Sequence, residues 1–216
     1  MLHSKFQLIA IAAIFLLGLA FVSAQELKPI QLPQPQTEIG KPLMQALKLR
    51  ASSRSFDTKP LPLQELSNLL WAAYGINRPD LNKRTAPSAM NWQEYDVFVF
   101  LAEAVYTYEA KSNSLVPVIS GDQRALCGVQ DFVKSAPLNL VYVADYSKAT
   151  RGSEDDKKLF ATVDCGFIAQ NVYLYCASQG LAVVVRGMVD REKLTQALKL
   201  KPEQKIILSQ TVGDPK

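Results

Sequence analysis

Residues 159–180 read LFATVDCGFIAQNVYLYCASQG, and this stretch decides the fold. Phe160, Val163, Phe167, Ile168, Val172, Leu174, Tyr175 and Ala177 put apolar side chains on nearly every side of a helix, whereas an ordinary surface helix confines them to one stripe. Such a helix has to be covered all round, so the pattern places residues 159–179 at the domain centre or at a subunit interface. Gly180 stops it. Just upstream, residues 151–158 carry charges of both signs and read as a solvated loop and helix start. Downstream, residues 181–188 form a buried strand, Asp190 opens a short helix to about residue 200, and residues 206–212 form a last strand.

Towards the N-terminus, residues 138–145 are a continuous apolar strand bounded by Pro137, and residues 121–133 read as a helix. Residues 96–103 alternate into a strand, and residues 105–109 pair with 115–118 across a turn at 111–114. Leu63, Leu66, Leu69, Leu70 and Ala73 recur at helical spacing before Gly75, and residues 43–50 form a short helix. Residues 77–93 are polar, turn-rich and too long for a mere connector. There is no regular βαβ alternation, no GxGxxG and no Walker signature, so a layered α+β domain is expected in place of a doubly wound nucleotide fold.

The chain has 216 residues, 48% hydrophobic and 20% charged, the profile of a globular domain. Residues 1–24 stand apart: Lys5 precedes an apolar run from Leu8 to Val22, and Val22-Ser23-Ala24 supplies the small residues of a signal-peptidase site. The run is about 15 residues long where a membrane-crossing helix needs ~20, so a cleaved Sec signal with the cut after Ala24 is expected, and a periplasmic or secreted location with it. Residues 25–42, with Pro29, Pro33 and Pro35, read as an extended arm draped over the domain or a partner subunit. The formal charge of +4 falls to +3 without Lys5, too mild an excess to imply nucleic acid.

The one histidine, His3, belongs to the leader. The remainder therefore has no Ser-His-Asp or Cys-His triad, no histidine metal ligand and no histidine base. A bound organic cofactor is the simplest source of reactivity. Cys127, Cys165 and Cys176 are odd in number and widely spaced, which suggests neither a disulfide framework nor a zinc site. Cys165 and Cys176 read as small buried hydrophobes of the long helix, with a disulfide from Cys127 to either left open.

Two segments carry chemistry. Arg50-Ala51-Ser52-Ser53-Arg54-Ser55-Phe56 gathers two guanidinium groups and three hydroxyls at a helix end, a set able to clamp a phosphate, though such loops are also common on plain surfaces. Arg84-Thr85-Ala86-Pro87-Ser88-Ala89-Met90-Asn91 has small residues that admit a planar ligand and an Asn91 amide able to read its polar edge. A simple turn is its other reading.

Together and in this order, the segments resemble the nitroreductase family, in particular the branch that includes the SagB-type oxidases. The family's Arg-x-Ser-x-Arg/Lys followed by Phe is matched by Arg50, Ser52, Arg54 and Phe56, and its Pro-Ser-Ala/Ser-x-Asn loop by Pro87, Ser88, Ala89 and Asn91. Gln170, Asn171, Gly180 and Leu181 fit its central helix, and Val212, Gly213 and Pro215 its closing Val-Gly-x-Pro. The resemblance covers residues 43–216 and implies a mixed or antiparallel sheet flanked by helices around a central buried helix. It also implies an FMN site at a homodimer interface and no metal. Arg50 and Ser52 would hold the FMN phosphate, and Arg54 would face the ring edge where negative charge gathers on reduction. Pro87, Ser88, Ala89 and Asn91 would line the ring. Backbone groups at Arg186 and Gly187 would approach N5, or the Arg186 side chain would reach the phosphate. The family's C-terminal extension is missing after Lys216, so Lys216 or the proline-rich arm would take its place.

The resemblance implies ping-pong chemistry, in which a donor and then a small acceptor such as a nitroaromatic or quinone use one slot. Export sets a conflict, since NAD(P)H is not expected outside the cytoplasm. The donor is then a periplasmic or membrane redox partner, or the enzyme runs as an oxidase. A flavin-binding module without turnover, or a flavin-fragmenting enzyme, are the alternatives. The two segments are expected to converge on one flat, phosphorylated ligand.

Overall fold

Strand β7 (Leu138–Asp145) shows why the central run is unbroken. In this computed structural model, which describes residues 27–216, Leu138, Leu140, Tyr142 and Ala144 enter one core while Val141 and Val143 enter another. Both sheet faces are covered, so alternation of direction brings no alternation of polarity. The expected leader and its cut after Ala24 lie outside the described residues.

Seven strands form the sheet: β1 (Ile30–Gln31), β4 (Tyr95–Phe100), β5 (Ala104–Glu109), β6 (Ser114–Ser120), β7, β8 (Ala182–Arg186) and β9 (Gln204–Gly213). Their order is β1-β6-β5-β4-β7-β9-β8, with every neighbouring pair antiparallel. The α+β layering expected from the sequence is the one that forms. Helices α1 (Leu43–Leu49), α2 (Leu63–Tyr74), α3 (Glu154–Gln179) and α4 (Arg191–Leu198) flank the sheet, and a ribbon of β2 (Ile76–Arg78) and β3 (Lys83–Arg84) follows α2. Leu66, Leu69 and Leu70 of α2 and Cys165, Ile168 and Val172 of α3 fill the first core. Leu194 and Leu198 of α4 close the second over Phe98 and Phe100.

The mixed-charge run becomes the first turn of α3. Asp156 N–H donates to Ser153 Oγ at 3.1 Å, and Ser153 N–H donates back to Asp156 Oδ2 at 2.9 Å, a reciprocal cap beside an acidic first turn that complements the helix dipole. Gly180 closes the helix at φ 83°. Within one chain α3 is not covered all round: Ala161, Asp164, Cys165, Ile168, Ala169, Val172, Tyr173 and Cys176 are buried, while Leu159, Val163 and Phe167 stay exposed on the opposite side.

Three further points refine the sequence reading. Residues 121–133 are two short 3₁₀ turns, Arg124–Cys127 and Asp131–Lys134, and not one helix. The chain opens at Gly128 because the Arg186 guanidinium passes there; a Cβ on Gly128 would sit 1.9 Å from its Nη1. The proline-rich arm lies on its own domain, pairing Ile30 with Leu115 and burying Leu32, while Pro33 O accepts from Ser67 Oγ and Asn113 Nδ2. All three cysteines are buried thiols, and the sheet separates Cys127 in the second core from Cys165 and Cys176 in the first, so a disulfide between them cannot close.

Candidate functional site

Helix α3 sorts the expected site residues onto two flanks. Tyr173 and Asp164 lie nine positions apart, about 13 Å of rise and half a turn of azimuth, and so mark opposite edges of its buried face. The Tyr173 hydroxyl accepts Val185 N–H at 3.0 Å and shares a 2.8 Å hydrogen bond with Ser52 Oγ. The Arg50 guanidinium lies over its ring, 5.4 Å from the centroid, within cation–π range. Ser53 N–H reaches Val183 O at 2.9 Å, and Phe56 bridges to Pro215. One tyrosine thereby gathers Arg50, Ser52 and the end of β8, with exposed Gly187 just beyond, and the Phe56 bridge brings the C-terminal residues 213–216 to the same loop. Among the described residues neither Arg50 nor Arg54 makes an ion pair, and both are exposed.

The other flank carries Pro87, Ser88, Ala89 and Asn91. Ala89 N–H donates to Asp164 Oδ2 at 2.8 Å, and Gln93 N–H to Ser88 Oγ at 3.0 Å. Met90, Asn91 and Gln93 hold φ of 51°, 57° and 50°, a left-handed region that costs non-glycine residues energy and persists only where surroundings enforce it. Trp92 supplies part of that enforcement, edge-on to Phe160 of α3 at 5.9 Å. Arg84 is occupied in place: it donates to Gln93 Oε1 and Tyr74 O at 2.9 Å each, and its guanidinium covers the Tyr74 ring.

The two segments therefore do not converge within one chain, because α3 stands between them. The Arg186 side chain is also elsewhere. It turns into the second core and donates to Cys127 O at 2.7 Å, Asn139 Oδ1 at 3.0 Å and Thr211 Oγ1 at 2.8 Å. Burial lowers its pKa to about 10, so it stays charged at neutral pH, and the expectation that this side chain reaches a phosphate is not met. Tyr173, Glu94 and Asp164 are the site residues that sequence reasoning missed. A hydroxyl and an acid inside an otherwise apolar helix were the available signals for Tyr173 and Asp164.

An antiparallel α+β layer with exposed cations beside an uncovered apolar helix face defines the structural class. The pattern of the nitroreductase family matches residues 47–214, and the chain belongs to that family of oxidoreductases. A Methanocaldococcus jannaschii protein whose name assigns it to the nitroreductases is 32% identical over 180 residues, 76% of this chain and 90% of its own. A crystal structure from Ralstonia eutropha JMP134, likewise assigned to the nitroreductases by its name, has 42% identity and a TM-score of 0.83, covering 88% of this chain and 90% of that one. The fold extends to the NADPH:FMN oxidoreductase of Vibrio harveyi solved with NAD+, at 20% identity and a TM-score of 0.61 over 81% of this chain and 69% of that one.

Proposed function

We propose that the protein is an FMN-dependent oxidoreductase in which a donor and then a small acceptor, such as a nitroaromatic or a quinone, use one slot. The observation that carries this reading is the pair of exposed guanidinium groups, Arg50 and Arg54, without anionic partners and beside the Ser52 hydroxyl at the end of β8. That donor set suits a phosphate and an electron-rich ring edge. Arg50 and Ser52 hold the phosphate, Arg54 faces the ring, and the backbone at Gly187 lies close to it. FMN, when bound, supplies the hydride and electron transfer; the chain binds it, orients it and shields it from water.

Because α3 separates the two segments within a chain, the complete site is shared by two copies. Helix α1, with Leu43, Met44 and Leu47 exposed, packs on α3 near Asn171–Ser178, and α3 leaves Leu159, Val163 and Phe167 exposed nearer its start; both are apolar surface of the kind that self-association covers. A second copy seated there brings its own Pro87–Asn91 loop to the shared surface. With export through the expected leader, the donor is a periplasmic or membrane redox partner, or the enzyme works as an oxidase.

The test is titration of purified protein with FMN, read by flavin absorbance. Wild-type protein turns yellow and is bleached by dithionite, then reoxidised by a nitroaromatic or quinone. Arg50→Ala loses about 2 kcal/mol of FMN affinity, and Phe167→Glu yields a monomer in sedimentation that no longer holds FMN. A colourless wild-type protein that ignores added FMN sinks the reading. Rapid turnover with NADPH at micromolar KM sinks the proposal for the donor alone.

A further inference from the structure

The most exceptional polar cluster lies under the Ser88–Gln93 loop, on the flank away from the guanidinium groups. Glu94 is 0% exposed where the loop enters β4, and the almost equally buried Asp164 meets it from α3. Six buried side-chain polar atoms have no hydrogen-bond partner among the described residues, and four belong to this loop and its packing: both Glu94 oxygens, Trp92 Nε1 and Tyr74 Oη. Asp164 Oδ2 already accepts the Ala89 N–H.

Two ionised carboxylates can only accept hydrogen bonds, so in contact they offer each other nothing but repulsion. A dry Glu94 carboxylate with no donor would cost far more than taking up a proton. With one proton between them the carboxyls form a short, charge-assisted O–H···O bond, and Asp164 still has a lone pair for Ala89. Burial first, and then the neighbouring Asp164, raise Glu94 to about 7, and burial raises Asp164 as well.

The compensating charge that reaches Glu94 is that of Lys148, which lowers its pKa less than burial and Asp164 raise it. Tyr74 faces the pair from α2 and Tyr95 from β4, the latter giving its hydroxyl proton to Ala161 O; Cys165 lies beside Asp164 on α3. Burial pushes all three up, so they stay neutral. From the Tyr146–Lys148 turn, Tyr146 is also raised by burial, and Lys148 is engaged by Asp96 at 2.8 Å. The Arg84 guanidinium sits over the Tyr74 ring and is bonded to Gln93.

We propose that Glu94 and Asp164 share a single proton, and that this carboxyl pair is a latch positioning the Ser88–Gln93 loop, with Asn91 in it, against α3. The consequence for FMN rests on the function proposed above; the latch itself does not. The loop holds three left-handed residues in place with few bonds, and the Ala89 N–H to Asp164 is the one that ties it to the helix. Loss of the shared proton sets two like charges in a dry contact, and the relief is to part the loop from α3.

Trp92 reports this without any cofactor. In a Trp71→Phe background, emission of FMN-free protein is followed from about pH 5, just above the ordinary carboxyl values, to about pH 9, above the raised one. The expected result is a one-proton transition near pH 7, in which emission moves to longer wavelength as Trp92 loses burial. Glu94→Gln keeps an N–H donor where the proton was and holds the low-pH spectrum throughout; Asp164→Asn, which keeps an acceptor for Ala89, does the same. Glu94→Ala shows the released spectrum at every pH. A flat wild-type titration, or a transition unchanged in Glu94→Gln, overturns the latch. In parallel, FMN affinity falls about tenfold from pH 6 to pH 8 in wild type and stays level in Glu94→Gln. If emission titrates as expected but FMN binds at neither pH, the cofactor reading fails and the latch stands.

Discussion

Arg186 and Glu94 are ionisable side chains buried on opposite faces of one sheet, and the fold treats them in opposite ways. Arg186, 5% exposed, has no carboxylate partner, yet three fixed neutral acceptors meet its guanidinium and the Phe132 ring lies 5.9 Å from its Cζ. Glu94 meets no side-chain donor, and only its own backbone N–H comes near. Preorganised dipoles let a buried charge remain a charge, while a bare carboxyl is left to settle the matter with a proton. The first region is consequently rigid and indifferent to pH near neutrality. The second is where pH acts.

The harshest way to break the contrast is Arg186→Met. It takes one donor each from the Cys127 carbonyl, the Asn139 amide oxygen and the Thr211 hydroxyl, which keep only the bonds from Ser209 Oγ to Cys127 O and from Thr211 Oγ1 to Asn139 Oδ1, in a core sized for a guanidinium. A loss of about 3–5 kcal/mol in urea unfolding is expected. A loss below about 1 kcal/mol would show that the three acceptors find water or other donors, and the distinction between the two regions would fail.

How much of this was legible depends on whether the deciding contact was local. The limits of β7 and α2 and the α+β layering followed from period and composition, because a side chain's direction is set by its own backbone. The 121–133 segment was not legible: Gly128 breaks it to admit Arg186, 58 positions further on. Arg50, Ser52 and Arg54 were recognisable by residue type, and their gathering with β8 follows from Tyr173. That Pro87–Asn91 lies across α3 from them is a tertiary fact with no local trace. Glu94 was invisible because an acid just before a strand ordinarily faces water.

Between these extremes stands Tyr173, whose hydroxyl is bonded to both Ser52 and Val185 but which sits at the proposed ligand site. Tyr173→Phe removes the bond to Ser52 Oγ and leaves Val185 N–H without its acceptor, at a cost of about 1–2 kcal/mol. If Tyr173 positions Ser52, FMN affinity falls by more than this stability change alone would produce, and Ser52→Ala in the Tyr173→Phe background adds little further loss. Additive losses would mean that the tyrosine serves the fold and the serine acts independently.

The smallest effect sharpens the contrast from the other side. Glu94 titrates at about 7 in the folded protein against 4.5 for the ordinary carboxyl. Between those values the folded state binds the extra proton, so the slope of stability with pH is negative. The stabilisation is fully present below pH 4.5, declines through neutrality and is gone once the folded carboxyl ionises above pH 7. One proton bounds the slope at about 1.4 kcal/mol per pH unit. Glu94→Gln removes this contribution, so its Tm should fall less between pH 5 and pH 8 than that of wild type, leaving it about 1 kcal/mol more stable at the alkaline end. Arg186, whose pKa stays near 10, contributes no slope over the same interval, so a wild-type protein whose Tm declines as steeply as that of Glu94→Gln would place the titrating group elsewhere and dissolve the difference between the two buried charges.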